Sequence, residues 1–371
     1  MKKIAFFVNS LIKAGPVNIV YDIVFHLDRK AYDPIIFVLR NNVEYRSVLD
    51  KFTELNVKVI FLNFSFVKME LNPLKCAKII ENKLQEENIN IVHSHSYNSA
   101  IILSKCSNSI RKIVTFHNIC NEDFPRQKGL LLGHYMSYRY IRHIKKFDAK
   151  IGISKIVSEF YTRKTHDSSI ITIYNGVDCS KFKVFSVEER IKNREKFGIT
   201  NQTVYLILGT VSKRKNVLHV INAIKKLNDD SKLFYIVGTG PLLKKCKKVA
   251  SGCKNIIFTG YQMNVSDYLS IADFSIAASK SEGFGLAALE SIMTGLTLIY
   301  SDCLAFKELF ADNHVLNKYM FCLKDKKSLL EKIKTSDKMT ESEQAELIKF
   351  YKQKFDSRIM SQEYQKIYRG F

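Results

Sequence analysis

The 371-residue chain contains no tryptophan, five prolines and no Asp-x-Asp sequence. So few prolines exclude a Pro-rich linker, and no low-complexity tract or solenoid-spaced repeat is present. The eight cysteines (76, 106, 120, 179, 246, 253, 303, 322) form no C-x-x-C pair and have no histidine at zinc-ligand spacing. They read as small apolar fillers in a reducing compartment. No run of 18 apolar residues occurs, so no segment reads as a membrane span. The first apolar run, at 4–8, follows Lys2 and Lys3 and stops before Asn9 and Ser10. That is too short for a signal sequence and suits a first buried strand. The expectation is a protein kept in the cytoplasm.

What is present describes a globular chain: 46% hydrophobic and 12% aromatic residues, enough for two domains with substantial cores. The formal net charge is +22, from 58 basic and 36 acidic residues. Such a balance points to polyanionic surroundings: nucleic acid, anionic lipid headgroups or phosphorylated substrates. The cations are spread along the chain and no nucleic-acid-binding motif accompanies them, so no nucleic acid partner is expected.

Short β-rich runs alternate with helical-period segments. Strands are expected at 4–8, 34–39, 57–62, 89–93, 113–116, 149–153 and 170–174, then at 204–208, 233–237, 255–258, 274–278 and 296–300. Val20, Ile23, Val24 and Leu27 mark one helix face, and Leu218, Ile221, Ile224 and Leu227 another. Asn175-Gly176 breaks the rhythm with a turn signal. The alternation predicts an α/β protein with parallel sheets covered on both faces, as two Rossmann-like domains spanning 1–176 and 177–352. The tail, 342–371, reads as helical.

Glu282-Gly-Phe-Gly-Leu-Ala-Ala-Leu-Glu290 carries the sharpest signal. It follows an apolar strand and opens a helical pattern running to Gly295, so unpaired backbone N–H groups converge at its glycine loop and favour an anion. Two turn glycines and two solvated acids would be the plainer account. Gly209-Thr-Val-Ser-Lys-Arg-Lys-Asn216 adds cations after another strand, where an exposed basic turn is the plain alternative. The spacing of seven residues between Glu282 and Glu290 is the Glu-x7-Glu signature of retaining glycosyltransferases of the GT-B fold. Nearly end to end, the chain resembles a bacterial family-4 glycosyltransferase of surface polysaccharide biosynthesis.

That resemblance implies two domains facing across a cleft, with a C-terminal helix (353–371) packing back on the first. It implies a nucleotide diphosphate-sugar as donor, a saccharide or lipid-linked saccharide as acceptor, and hexosyl or N-acetylhexosaminyl transfer with retention of configuration. O-antigen, capsule or exopolysaccharide assembly is the implied setting. Lys215 falls at the family's diphosphate-binding lysine, and Gly209 opens its loop. Thr210 stands where the family usually has arginine, a departure for which Arg214 is the available substitute. Tyr261 matches the region meeting the base. Glu282 would bind the donor sugar, Gly283, Phe284, Gly285 and Leu286 would offer N–H groups to the diphosphate, and Glu290 would take the ribose. In the first domain Gly15, followed by Pro16 where a second glycine is common, would approach the donor phosphate. His93-Ser-His95 resembles a His-x-His element, and His117 would face the transferring sugar or leaving phosphate; read without the resemblance, a lone histidine such as His117 is more often structural than catalytic. Gly238 and Gly240 would only shape a turn. No cofactor and no metal are expected, since cations and helix N-termini can hold diphosphate charge. Two other readings are a GT-B nucleotide-sugar epimerase and a basic nucleic-acid-binding protein.

The stretch 125–150 collects Arg126, Lys128, Arg139, Arg142, Lys145, Lys146 and Lys150 against Asp148, among Leu130, Leu131, Leu132, Tyr135, Met136, Tyr138, Tyr140 and Ile141. It suits either a helix lying on an anionic membrane, peripheral on the inner face, or a core-packed helix with a solvated basic rim.

Overall fold

The computed structural model describes residues 1–40 and 47–371. Met1–Gly176 with Ser357–Phe371 forms one compact unit, and Val177–Asp356 forms the other.

The first unit is built on seven strands: β1 (Lys2–Val8), β2 (Tyr32–Val38), β3 (Lys58–Phe61), β4 (Ile91–Ser94), β5 (Arg111–Phe116), β6 (Ala149–Gly152) and β7 (Ile171–Thr172). They pair in the order β3-β2-β1-β4-β5-β6-β7, every pair parallel. All four residues of β4 and the last five of β1 and β5 are buried, as expected where helices cover both faces. The chain runs outward from β1 to β3 and then returns to β4, so β1 and β4 flank a topological switch point. The loops leaving these two strands meet there, where Ser96 Oγ donates to Asn9 Oδ1 at 3.0 Å.

The second unit repeats the scheme with β8 (Thr203–Leu208), β9 (Lys232–Val237), β10 (Ile256–Gly260), β11 (Phe274–Ala277), β12 (Thr297–Ser301) and β13 (Met320–Phe321), ordered β10-β9-β8-β11-β12-β13 and all parallel. Tyr205 stacks between Phe234 and Phe274 with ring centroids 4.8 Å from each, locking β8 between its neighbours. Here the switch point falls between β8 and β11. Just before β11, buried Asp273 meets Arg190 at 3.0 Å, Arg194 at 3.2 Å and Lys338 at 2.8 Å and accepts from the Val204 N–H.

Three details differ from the sequence expectation. The helix after the Glu282 loop runs from Leu286 to Met293 and stops short of Gly295, because Gly295 and Leu296 turn the chain into β12. β13 is too short to show a pattern; it exists because Met320 and Phe321 pair with Tyr300 and Ser301. The tail is two helices, Glu341–Phe355 and Ser357–Arg369. Asp356 between them is extended (ψ 136°), and the Val177 N–H claims the Phe355 carbonyl at 2.8 Å. The first helix therefore stays in the second unit, and the return to the first begins at Ser357 rather than at 353.

The returning helix is tied to the first unit by polar contacts as well as by its apolar face. Ser361 Oγ donates to the Ile23 carbonyl at 3.0 Å, and Gln365 accepts from the Asp28 N–H at 3.1 Å. Tyr364 and Tyr368 are fully buried against the sheet.

Candidate active site

In the second unit the loops leaving β8 and β11 meet because those strands are neighbours. Lys215 Nζ lies 2.6 Å from Glu282 Oε1, while Arg214 Nη1 bonds the other oxygen, Oε2. Ser279 Oγ donates to Oε1 at 2.7 Å, and the Lys280 N–H donates to the Arg214 carbonyl at 2.8 Å. The Glu282 side chain is only 8% exposed. Burial raises its pKa, but Lys215 and Arg214, with hydrogen bonds from Lys215 and Ser279, outweigh that and hold it at about 2. The acid is ionised at any physiological pH, with two cations committed to it.

Gly209, Thr210, Lys215, Gly285 and Phe306 line one narrow cavity beside this cluster. Two glycines there are structural requirements. Gly285 has φ +116°, and a Cβ on it would lie 2.6 Å from Cε1 of Phe306. A Cβ on Gly238 would stand 2.0 Å from the Gly209 carbonyl oxygen, which gives the shaping role of that turn a physical cause. Gly283 and Phe284 are buried, the Phe284 ring lying edge-on to Phe355 at 5.4 Å, and Leu286 is half-buried at the first position of the helix. Glu290 is half-buried one turn further on. Tyr261 follows the end of β10, also half-buried.

In the first unit the strand ends carry three histidines. His93 Nδ1 pairs with Tyr368 OH at 2.9 Å and its Nε2 with Thr115 Oγ1 at 2.8 Å. His95 Nδ1 and His117 Nε2 lie 3.0 Å apart, so one imidazole donates to the other. Burial pushes all three below the usual histidine range: His117 to about 3, and His93 and His95 well down, with neighbouring histidines adding to the effect. They are neutral donors and acceptors, not acids, at neutral pH. His95 Nε2 is buried without a hydrogen-bond partner among the described residues. It belongs to a pocket that His95 and His117 line with Pro16, Asn118, Arg40 and Lys128. Gly15, adjacent to Pro16, is exposed at the first helical position with nothing within 4 Å of a Cβ built on it.

The structure thus brings Gly209, Lys215, Glu282 and Gly285 together in the second unit, and Pro16 with His117 in the first. Sequence reasoning missed Ser279, three residues before its partner Glu282, and the Tyr368–His93–Thr115 network, in which distant segments meet.

Family models agree with this geometry. The one described as Glycosyltransferase Family 4 matches residues 14–181, and that for Glycosyl transferases group 1 matches 189–353. The chain is a family-4 glycosyltransferase. It is similar to the O-antigen biosynthesis glycosyltransferase WclY of Escherichia coli, at 25% identity over 99% of this chain and 98% of that protein. A second relative is the UDP-Gal:alpha-D-GlcNAc-diphosphoundecaprenol alpha-1,3-galactosyltransferase of Escherichia coli, 24% identical over 66% of this chain and 65% of that one. The crystal structure of Anabaena Alr3699/HepE in complex with UDP and glucose superposes with a TM-score of 0.81 at 16% identity, covering 100% of each chain. That likeness places this family-4 glycosyltransferase in the GT-B fold, with its two Rossmann-like units.

Proposed function

We propose that this glycosyltransferase moves a hexosyl or N-acetylhexosaminyl group from a nucleoside diphosphate-sugar to a saccharide or lipid-linked saccharide, with retention of configuration and without a metal. Surface polysaccharide assembly, of O-antigen, capsule or exopolysaccharide type, is the setting, and the enzyme works in the cytoplasm at the inner face of the membrane. The relatives named for O-antigen and diphosphoundecaprenol chemistry support that setting. The observation that carries the reading is the pair of cations, Lys215 and Arg214, held on Glu282 beside the Gly283–Leu286 loop.

On donor binding, Lys215 and Arg214 exchange part of their pairing with Glu282 for the diphosphate. Gly283, Phe284, Gly285 and Leu286 give backbone N–H groups to it, and Gly209 lets the lysine lie close. Glu282, freed in part, takes sugar hydroxyls; Glu290 takes the ribose hydroxyls, and Tyr261 meets the base. Gly15 brings backbone to the phosphate, and His117 contacts the transferring sugar or the leaving phosphate as a neutral partner. The bond between C1 and the phosphate oxygen breaks and the acceptor oxygen bonds C1 on the same face. The departing phosphate oxygen takes the acceptor's proton, so the nucleoside diphosphate leaves with charge held by the two cations.

The test is thermal stabilisation by a panel of nucleoside diphosphates and their sugars, with and without added metal, followed by NMR of the product anomer. Stabilisation by the compounds of one base, indifferent to metal, and a retained anomer are expected. An inverted product would overturn retention, and donor isomerisation without acceptor would overturn transfer.

A further inference from the structure

The basic stretch 125–150 is neither one helix nor uniformly basic at its surface. Gly129, with φ +87°, separates helix Cys120–Lys128 from helix Leu130–Ile144. The two pack so closely that a Cβ on Gly133 would stand 2.3 Å from Pro125 Cα. Two of the cations are withdrawn: Lys150 is buried and pairs with Asp167 at 3.0 Å, and Arg139 pairs with Glu70. One face of the second helix (Met136, Ser137, Tyr140, Ile144) is core. The remainder is unusual. At the hairpin tip Leu130, Leu131 and Leu132 are 71%, 90% and 50% exposed, and Tyr135 and Tyr138 continue the stripe at 57% and 64%. Such a contiguous apolar surface marks an interaction site.

Along the same helix the stripe passes into a groove shared with helix Lys155–Thr165, lined by His134, Tyr138, Ile141, Arg142, Lys145 and Lys164 and by no acidic side chain. Among the described residues none of Arg142, Lys145 and Lys164 is in an ion pair, although the chain carries 36 acids. Close by on the same helix, burial and then the charges of Lys105, Arg139, Lys146 and Arg142 push His143 down to about 4.

We propose that the Leu130–Leu132 tip and this groove form a docking site for an anionic lipid bilayer. The leucines with Tyr135 and Tyr138 enter the acyl boundary, while Arg142, Lys145 and Lys164 bind lipid phosphates. Apolar side chains beside cations match the two layers of an anionic membrane surface, acyl boundary and phosphate headgroups. The inference rests on the membrane-side part of the proposed function and gives it a location; it does not depend on sugar transfer.

The test uses the whole protein without donor or acceptor, floated with vesicles of phosphatidylcholine alone or with phosphatidylglycerol. Because the chain has no tryptophan, a Leu131→Trp variant carries a single reporter. The expected result is binding to the anionic vesicles that weakens with salt, a blue-shifted emission and quenching by brominated lipid. The triple variant Arg142→Ala/Lys145→Ala/Lys164→Ala should lose roughly a hundredfold in partition, at on the order of fivefold per cation near an anionic surface. Leu131→Ser/Leu132→Ser should lose binding while keeping its thermal midpoint, since both side chains are solvent-facing. Equal, salt-indifferent binding to both vesicle types, or an unshifted reporter on anionic vesicles, would overturn the proposal. So would stabilisation by glycerol 1-phosphate without vesicle binding, which would mark a site for free phosphate. Nucleoside diphosphate stabilisation, measured on the same variants, reports on the transferase reading separately.

Discussion

Lys215 Nζ sits 2.6 Å from Glu282 Oε1, with Arg214, its chain neighbour, on the opposite oxygen of the same carboxylate. The cations that would hold a diphosphate are therefore neutralised by an acid of the site before any donor arrives. Replacing Glu282 by Gln removes that competing charge but keeps the shape. Glu282→Gln is expected to bind a nucleoside diphosphate more tightly, by about tenfold, and to turn over the sugar donor on the order of a hundredfold more slowly. Calorimetric titration with the diphosphate and steady-state kinetics read the two effects. Weaker diphosphate binding in the variant would mean that Glu282 positions the cations and does not compete for them.

The strands at the switch points were legible because parallel, doubly covered strands need uninterrupted β-branched and aromatic residues, as in β1 and β8. The Glu282 loop was legible because its chemistry is compressed into one segment. What remained hidden was contributed from afar. Tyr368 reaches His93 across 275 residues, and Lys150 and Arg139 look like surface cations until Asp167 and Glu70 are folded against them. The break at Asp356 carries no Gly or Pro; it follows from the bridge to Val177, a tertiary contact that local periodicity does not encode.

Acid should weaken the first unit through its neutral histidines. His117 has a folded pKa of about 3, far below an unfolded histidine, so between about pH 6.5 and pH 3 the unfolded chain binds protons that the folded one does not. Stability is therefore full above that window and falls as pH drops through it. Glu282, also depressed, contributes stability that is lost only between its ordinary value near 4.5 and about 2. Thermal midpoints from pH 8 to pH 4 should fall below pH 6.5, and His117→Asn should show a shallower fall. An identical pH profile in the variant would refute a protonation penalty at His117.

Two glycines of the donor-site expectation should respond oppositely. Gly285→Ala forces a Cβ to 2.6 Å from the Phe306 ring at a φ of +116°, a strain of about 1–3 kcal/mol. Gly15→Ala adds a methyl into open space and should leave the thermal midpoint within about 1 °C, at ±0.5 kcal/mol or less. Any loss of kcat/KM in the second variant then reports contact with substrate rather than folding.

Tyr368→Phe deletes the hydroxyl bonded to His93 Nδ1 and leaves that buried nitrogen unsatisfied, a cost of about 1–3 kcal/mol. Denaturant titration should register it, whereas donor affinity, centred on the other unit, should be unchanged. A loss of donor affinity without loss of stability would instead make the histidine network part of the reaction centre.

The sharpest question about this chain is whether Arg214 takes over from the arginine that Thr210 replaces. Both residues flank the cavity cluster: Thr210 lines it with Lys215, and Arg214 is paired with Glu282. If a second cation is needed for the leaving diphosphate, Arg214→Ala should lower kcat by on the order of a hundredfold. Lys215→Ala should cost at least as much. Moving the charge, in Thr210→Arg/Arg214→Ala, should then restore at least tenfold of the loss, because the exposed Thr210 can accept a longer side chain and the cavity regains its charge. Failure of the double variant to improve on Arg214→Ala, with both folded to the same midpoint, would show that Arg214 acts by holding Glu282 and the Ser281 carbonyl, which it reaches at 3.1 Å, and that one lysine suffices for the diphosphate.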